Sequence, residues 1–183
     1  MDLLDLNEAG LSDIIYNQLQ EHWINDNVAG CLMCLDNQDG LAFVMDNIKP
    51  LLENGYYEEA LLIALTGPRV NLSNYPFDLI RTLLGGADKN KMRAQGDKMP
   101  HEGPFTLYRG VSGVGKARRK RGVSWTASFE KAQWFAKRLS LDKPMVYQAE
   151  VPIEFVYAYT NERNEQEFIC LLPEDHKLKK VWP

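Results

Sequence analysis

Two glutamates late in the chain are the first residues whose spacing suggests chemistry. The stretch ERNEQEFICLL, residues 162 to 172, places carboxylates directly before an uninterrupted apolar run. If residues 165 to 171 are extended, Glu165 and Glu167 lie on one side of the strand, because side chains alternate between its faces. Adjacent carboxylates repel, so a protein seldom keeps them beside a buried element unless something cationic or reactive lies between them. The pair is therefore a candidate functional site.

Two earlier motifs carry further polar groups on predicted strands. Arg109 lies in LYRG, residues 107 to 110, and SWTAS, residues 124 to 128, precedes a predicted helix. Each has a simpler explanation when taken alone. An arginine near a strand end is most often an exposed charge or an ion-pair partner, and Thr126 or Ser128 is a natural N-cap for a helix starting at residue 129. The order of the three motifs carries more information than any one of them.

In that order the motifs resemble the mono-ADP-ribosyltransferase family of the Arg-Ser-Glu class. Its signature is an arginine on the first core strand, a Ser-x-Ser/Thr element on the second, and a Glu-x-Glu before a late strand. The matches are Tyr108-Arg109-Gly110, then Ser124-Trp125-Thr126 with Ala127-Ser128, then Glu165-Gln166-Glu167. The resemblance covers about residues 105 to 183. It implies an enzyme that transfers ADP-ribose from NAD, its co-substrate, to an arginine of a protein acceptor and releases nicotinamide.

The resemblance also implies a role for each matched residue. Arg109 would offer paired donors to the NAD diphosphate, and Glu167 would hold the ribose 2′-hydroxyl where positive charge develops. Glu165 would orient and help deprotonate the acceptor. Either Ser124 or Thr126 would orient the catalytic glutamate, and Ser128 stays open as well. The residues expected to contact NAD are Tyr108, Arg109, Gly110, Ser124, Trp125, Thr126, Ser128 and Glu167.

The segment before the glutamates resembles the family's acceptor-recognition loop, in which an aromatic residue precedes the Glu-x-Glu. Tyr159 is the first candidate and Tyr157 the second. The structural alternative is that these tyrosines pack on an amphipathic strand with their hydroxyls at the surface.

Three other functions stay open. One is a NAD glycohydrolase, in which water replaces the protein acceptor. Another is an ADP-ribosyltransferase acting on nucleic acid or a small molecule, suggested by five basic residues in the segment GKARRKRG, residues 115 to 122. That segment is also compatible with a solvated loop or with attraction of NAD phosphates. The third is a non-catalytic interaction module with structural glutamates.

Charge is distributed unevenly along the chain. The first 100 residues hold 7 basic and 15 acidic residues, and the remaining 83 hold 14 basic and 10 acidic. The formal charges of the two parts are therefore −8 and +4. The second part is the better match for a phosphate-bearing ligand.

The pattern of apolar, polar and β-branched residues along the whole sequence predicts an α+β chain in three parts. Residues 1–86 show helical spacing of apolar residues broken by Pro and Gly, and residues 87–104 are polar and predict a linker or long surface loop. Residues 105–183 contain short β-branched and aromatic runs with one helix between the second and third. We expect a compact two-sheet β core with that helix embedded, as in the family resembled.

Several features bear on the compartment and the ligands. The N-terminus carries acids rather than the basic residues of a signal peptide, and the longest apolar run, ALLIAL, is too short to span a bilayer. The three cysteines are few and odd in number, which argues against a disulfide framework. A reducing compartment is therefore expected. A cytoplasmic protein without a membrane partner is predicted. No metal is expected, because CLMC, residues 31–34, lacks a second ligand pair. The biological setting, whether toxin, phage or bacterial regulator, or defence factor, stays open.

Overall fold

The computed structural model describes residues 4, 11–36, 39–67 and 70–183, apart from the side chains of residues 116 and 117. The chain divides into two compact units, Met1–Asn74 and Tyr75–Pro183. The described part is α+β, as the sequence predicts, with helices in both units and strands in the second.

The first unit is helical wherever the structure describes it. Its α-helices are α1 (Asp13–Ile24), α2 (Val28–Cys34), α3 (Gly40–Asp46), α4 (Ile48–Glu53) and α5 (Tyr57–Thr66), followed by a 3₁₀ turn over Leu72–Asn74. Ser12 begins α1 by accepting a hydrogen bond from the Ile15 backbone N–H, which satisfies one of the unpaired donors of a first turn. The core of the unit includes Leu19, Trp23, Leu41, Val44 and Leu61.

Pro50 has a different position from the one the sequence suggests. The apolar spacing of residues 41 to 48 predicts a helix that ends before Pro50, whereas α3 ends at Asp46 and Pro50 lies in the first turn of α4. A proline is tolerated there because the first turn has no carbonyl to receive its missing N–H.

The second unit contains the predicted strands and the predicted embedded helix. Two helices, α6 (Phe77–Gly86) and α7 (Lys89–Gln95), precede the first strand. The sheet elements and the helix among them are β1 (Phe105–Val111), β2 (Ser124–Thr126), α8 (Phe129–Lys137), β3 (Met145–Val151), β4 (Val156–Thr160), β5 (Glu167–Cys170) and β6 (Lys179–Trp182). Short 3₁₀ turns cover Gly115–Arg118 and Ile153–Phe155.

The prediction of two sheets is wrong for the residues that the structure describes. All six strands pair antiparallel in one sheet of order β4-β5-β2-β1-β3-β6. The short strand β2 is responsible, because it pairs with β1 on one side and with β5 on the other. The late strands therefore join the early ones edge to edge.

The predicted boundary between the helical and β parts is also displaced. The units meet between Asn74 and Tyr75, so α6 belongs with the sheet rather than with the helices before it. The expected linker, residues 87–104, contains α7, which packs against β4. Arg93 of α7 explains the docking, since its guanidinium donates to the carbonyls of Ile153 and Val156. The polar composition of residues 87–104 did not suggest a helix. In the structure, α7 is held by hydrogen bonds from Arg93 to backbone oxygens.

The two faces of the sheet have different surroundings. One face forms a buried apolar cluster that includes Phe105, Leu107, Trp125, Val151 and Phe168. The opposite face is covered by α8, whose Ala132 and Ala136 are fully buried. Ser128 begins α8 by accepting a hydrogen bond from the Lys131 N–H, so of the two caps that the sequence suggests, Thr126 and Ser128, the second is observed.

Gly110 allows α8 to lie close to the sheet. A Cβ atom at this position of β1 would overlap the backbone of Ala132 and Ala136 in α8. Neither backbone atom can move without displacing the helix, so only glycine fits. The glycine of the predicted Tyr-Arg-Gly motif thus has a packing role.

None of the helices in the described part of the chain has the length and apolar character needed to cross a membrane.

Candidate functional site

Three residues from different strands form one hydrogen-bonded chain. The Nη1 group of Arg109 donates to the Ser124 carbonyl oxygen, and the Ser124 hydroxyl donates to Oε1 of Glu167 over 2.5 Å. A bond of that length is typical of a hydroxyl on a charged acceptor. The three motifs singled out in the sequence therefore meet at one place in the structure.

The strand register brings Ser124 and Glu167 together, and Arg109 of β1 reaches the backbone carbonyl of Ser124. Thr126 lies opposite Glu167 on β5 and opposite Tyr108 on β1. Directly paired residues of antiparallel strands share a face, and so do residues two apart along one strand. Ser124, Thr126 and Glu167 consequently project from the face that α8 covers. The paired backbones of β2 and β5 fix the spacing of these three side chains.

Glu167 is a buried carboxyl group. Only 8% of its surface is exposed. Burial raises its pKa above the ordinary value, because a charged carboxylate loses its hydration there. The Ser124 hydroxyl, Arg163 and Arg109 act in the opposite direction, and Glu165 adds to the increase. A carboxyl group poised in this way is common where proteins do chemistry.

The structure distinguishes the hydroxyl groups that the sequence left as alternatives. Ser124 contacts Glu167 directly, whereas the Thr126 hydroxyl donates to the backbone carbonyl of Glu165 at 2.6 Å and accepts from the Ser128 N–H at 3.0 Å. Ser128 caps α8 and donates to Glu130. Ser124 is thus the residue that orients Glu167, and Thr126 holds the backbone that carries Glu165.

Glu165 reaches the site from a turn rather than from the strand. β5 begins at Glu167, and the intervening Gln166 has a left-handed backbone with φ of 47°. The expectation that residues 165 to 171 are continuously extended is therefore wrong. This conformation is unfavourable for a side-chain-bearing residue. Two backbone hydrogen bonds hold it: the Gln166 N–H donates to Asn161 Oδ1, and its carbonyl accepts from the Ala127 N–H.

Arg163 lies between the two carboxylates, and the sequence analysis gave it no role. Its Nη2 group is 2.9 Å from Oε2 of Glu165 and 3.3 Å from Oε2 of Glu167. The hydrogen bond that Arg163 donates to Glu165 is the main reason that the pKa of Arg163 is raised. The argument that adjacent carboxylates need a cation could have found this residue, since Arg163 is the nearest basic residue in the same stretch.

Arg109 is held by the backbone on two sides. Besides the bond to Ser124, its Nε donates to the Arg119 carbonyl at 3.0 Å. Burial, with repulsion from Arg119, lowers its pKa to about 10, and Glu167 counteracts this. The side chain is still cationic at neutral pH. Its Nη2 group makes no hydrogen bond to any residue in the described part of the chain.

Gly122 makes room for this guanidinium. A Cβ atom there would overlap the Nη2, Cζ and Nε atoms of Arg109. The glycine is buried beside the arginine, so the position of the guanidinium depends on its small size. Sequence analysis did not identify Gly122, because a glycine next to a basic run is typical of a turn.

Two residues expected to contact NAD have other positions. Trp125 is 1% exposed, faces the apolar cluster opposite Phe168, and donates its indole N–H to the Gly122 carbonyl. It lies on the far face of the sheet from Glu167, and its contacts are those of a core residue, so its expected contact with NAD stays a prediction. Tyr108 is on the same face as Thr126, but its ring packs edge-on against Phe129 with centroids 5.4 Å apart.

The tyrosines expected to recognise an acceptor are both packed within the second unit, and Tyr159 lies on the opposite face of the sheet from Glu167. Tyr159 pairs with Phe168, and their ring centroids are 4.7 Å apart. Tyr157 is buried, with the Lys89 ammonium 4.9 Å from its ring centre. Burial raises the pKa of both phenols. The structural alternative stated in the sequence analysis, packing on a strand, therefore describes both residues, and a role in acceptor recognition stays a prediction.

The arginines of the basic segment are engaged within the chain. Arg118, Arg119 and Arg121 each donate to a backbone carbonyl, those of Gly113, Tyr75 and His176 respectively. Arg119 also lies over the ring of Phe77. These contacts favour a structural role for the three side chains over a row of charges directed at a polyanion.

Of the two thiols of the CLMC segment, Cys31 is buried and Cys34 is half-buried. Burial raises the pKa of Cys31 to about 12 and also raises that of Cys34. Neither cysteine forms a disulfide. A thiol with a raised pKa is mostly protonated at neutral pH and is a weak nucleophile or metal ligand.

Comparison of the chain with protein-family models, with curated proteins and with solved structures finds no match. The interpretation of the site therefore depends on its own residues and geometry.

Proposed function

We propose that the chain is a NAD-dependent mono-ADP-ribosyltransferase that transfers ADP-ribose to an arginine of a protein acceptor and releases nicotinamide. The observation that carries the proposal is the hydrogen-bonded chain from Arg109 through Ser124 to Glu167. The order of the motifs alone indicated Arg109, Glu167 and a hydroxyl among residues 124 to 128, and the three residues that meet are separated by up to 58 positions. Their meeting at a buried carboxylate supports a common function.

The donors at this site suit NAD. The cationic guanidinium of Arg109 keeps its Nη2 group without a hydrogen bond to the described residues, which fits a diphosphate oxygen. NAD supplies an ADP-ribosyl group joined to a cationic leaving group, nicotinamide. Glu167 holds the ribose 2′-hydroxyl in this proposal, and its negative charge stabilises the positive charge that develops on the sugar.

Ser124 and Glu165 have supporting tasks. Ser124 is a positioning residue, because its hydroxyl fixes one oxygen of Glu167 and leaves the other directed towards Arg163. Glu165 accepts the proton of the attacking guanidinium, for which a carboxylate within hydrogen-bond reach is required. Its 2.9 Å contact with Arg163 supports this role, because that contact is already one between a carboxylate and a guanidinium.

The pH dependence of NAD cleavage should report Glu167. The reaction needs the ionised carboxylate, and burial raises the pKa of this group above its ordinary value of 4.5. Activity should therefore fall as the pH decreases through a midpoint above 4.5. Because the Ser124 hydroxyl lowers this pKa, Ser124→Ala should move the midpoint to still higher pH. Nicotinamide release measured from pH 4 to pH 9 checks both statements. If the midpoint is unchanged in Ser124→Ala, the decrease in activity at low pH is due to the titration of another group.

Gly122→Ala should weaken NAD binding by displacing Arg109. The new methyl group overlaps the guanidinium, which must give up its bonds to Ser124 and Arg119 to move. Loss of one such charged contact costs about 1.5 to 3 kcal/mol, or roughly 10- to 100-fold in affinity. The KM for NAD should rise by that factor. Gly85→Ala is the matched control, because no atom lies within 4 Å of a Cβ at Gly85. Equal KM values in the two variants would mean that Arg109 does not contribute to NAD binding.

A partition experiment separates the proposed reaction from its alternatives. The purified full chain is incubated with NAD labelled in the adenylate part, together with cell lysate. Label is then measured in protein, in nucleic acid and as free ADP-ribose. We expect label in protein, released by treatments that cleave ADP-ribosyl-arginine, and competition by a small soluble guanidine compound.

The other distributions of label contradict the proposal in different ways. Label only in free ADP-ribose indicates a NAD glycohydrolase. Label in nucleic acid indicates the acceptor class suggested by the basic segment. Intact NAD in every fraction indicates a non-catalytic interaction module.

A further inference from the structure

Arg163 occupies the position that an arginine acceptor needs. One nitrogen, Nη2, contacts the carboxylates of both Glu165 and Glu167, at 2.9 and 3.3 Å. In the proposed reaction the attacking nitrogen must touch the carboxylate that takes its proton and must lie beside the carboxylate that holds the ribose. The side chain is 37% exposed, so solvent and small molecules reach it.

A well-anchored turn presents this side chain. The Asn161 N–H donates to Asp97 at 2.6 Å, and the Asn161 carbonyl accepts from the Asn164 N–H at 2.8 Å. Asn164 has a left-handed backbone with φ of 54°, a conformation that asparagine tolerates better than most residues. The turn thus returns the chain so that Arg163 and Glu165, only two residues apart, direct their side chains at each other.

The simplest role for Arg163 is that of a counter-ion that neutralises two carboxylates. A counter-ion and an acceptor would make the same contacts. The two roles differ in whether the reaction with NAD modifies Arg163. An acceptor within the same chain has a large advantage over one from solution, because its encounter with the site needs no second molecule. Any external guanidinium must displace Arg163 to reach the same two carboxylates.

We propose that Arg163 is an intramolecular acceptor, so that the protein ADP-ribosylates itself at this residue; this inference rests on the proposed function. Nη2 of Arg163 attacks the C1 atom of the NAD ribose. The bond from C1 to nicotinamide breaks, and its electron pair leaves with nicotinamide. Glu165 accepts the proton that Nη2 loses, and its contact with Nη2 puts the base in place before the attack.

The test uses the purified full chain with NAD and no added acceptor. Peptide mass spectrometry should find one ADP-ribosyl group on Arg163, accompanied by free nicotinamide. Because the reaction is intramolecular, the first-order rate constant should not change when the protein concentration is varied 100-fold. Arg163→Lys should lose this modification. Arg81→Lys, a change at an exposed arginine paired with Glu174, should keep it.

A mixing experiment provides the second arm. Tagged Glu167→Gln chains are incubated with untagged wild-type protein and NAD, and the tagged chains should stay unmodified at Arg163. Modification of the tagged chains, or a rate constant that increases with protein concentration, would overturn the intramolecular step.

The outcomes distinguish this inference from the proposed function. Release of nicotinamide by wild-type protein without ADP-ribose on Arg163 would overturn the inference and leave the function intact. Undiminished labelling of Arg163→Lys would do the same. Absence of nicotinamide release from the wild-type protein would overturn both.

Discussion

Glu167→Gln is expected to abolish both ADP-ribose transfer and NAD cleavage while the fold is retained. Glutamine keeps the shape and the oxygen that accepts from Ser124, but it removes the charge that stabilises the developing cation. Loss of one such preorganised group typically costs about 10²- to 10³-fold in rate. Nicotinamide release is the measurement, and Glu162→Gln is the matched control because Glu162 is an exposed glutamate of the same turn.

The same variant should be at least as stable as the wild-type protein at neutral pH. Burial raises the pKa of Glu167 in the folded state. A raised carboxyl pKa contributes stability that is complete below the unfolded-state pKa and is lost as the pH rises through the folded-state value. At pH 7 the ionised group therefore disfavours folding, and neutral glutamine avoids this. Thermal unfolding should give a Tm for Glu167→Gln that is no lower than that of the wild-type protein. A large decrease in Tm would make Glu167 a structural residue.

Glu165→Gln is expected to impair transfer to arginine far more than cleavage of NAD. A general base in contact with its proton donor contributes about 10²- to 10⁴-fold, so transfer to a soluble guanidine compound should fall by at least about 10²-fold. Hydrolysis of NAD should decrease much less, because Glu167 and Ser124 keep their contact. The ratio of ADP-ribosyl-guanidine to free ADP-ribose measures the effect directly.

The control for this prediction is again Glu162→Gln, which should leave the product ratio unchanged. Equal losses of transfer and hydrolysis in Glu165→Gln would mean that Glu165 acts on the sugar or on the fold. In that case the division of tasks between the two glutamates would be incorrect.

Much of the second unit could be predicted from the sequence, because its signals are local. Alternating β-branched and aromatic residues predict β1 and β3 at their observed bounds, and Ser128 marks the start of α8. The joint order of three short motifs also indicated Arg109, Glu167 and a hydroxyl among residues 124 to 128, and the structure places Ser124 between the other two. Their functions in the reaction stay predictions.

The features that could not be predicted depend on contacts distant in sequence. Whether the strands form one sheet or two is decided by the double pairing of β2, a three-residue strand with little signal of its own. The helix α7 owes its place to hydrogen bonds from Arg93 to a later segment. The spacing of apolar residues along the chain carries no information about the pairing of β2 or about the hydrogen bonds of Arg93.

The details of the site were limited in the same way. Face alternation alone would have placed Trp125 opposite its neighbours Ser124 and Thr126, but its motif position suggested a ligand contact. The left-handed Gln166 interrupts the strand pattern that placed Glu165 on the face of Glu167. Arg163 was visible in the sequence as a cation beside two carboxylates. Only the turn from Asn161 to Gln166 shows that it lies between them.

The most direct test of the central claim is release of nicotinamide from NAD by the purified full chain at neutral pH, with a soluble guanidine compound as acceptor and Glu167→Gln protein as the blank. The proposed site predicts steady release by the wild-type protein, proportional to its concentration, and release by the variant that is at least about 10²-fold slower. Release by the wild-type protein that equals the blank, from protein shown to be folded, would contradict the assignment of Arg109, Ser124 and Glu167 to NAD cleavage.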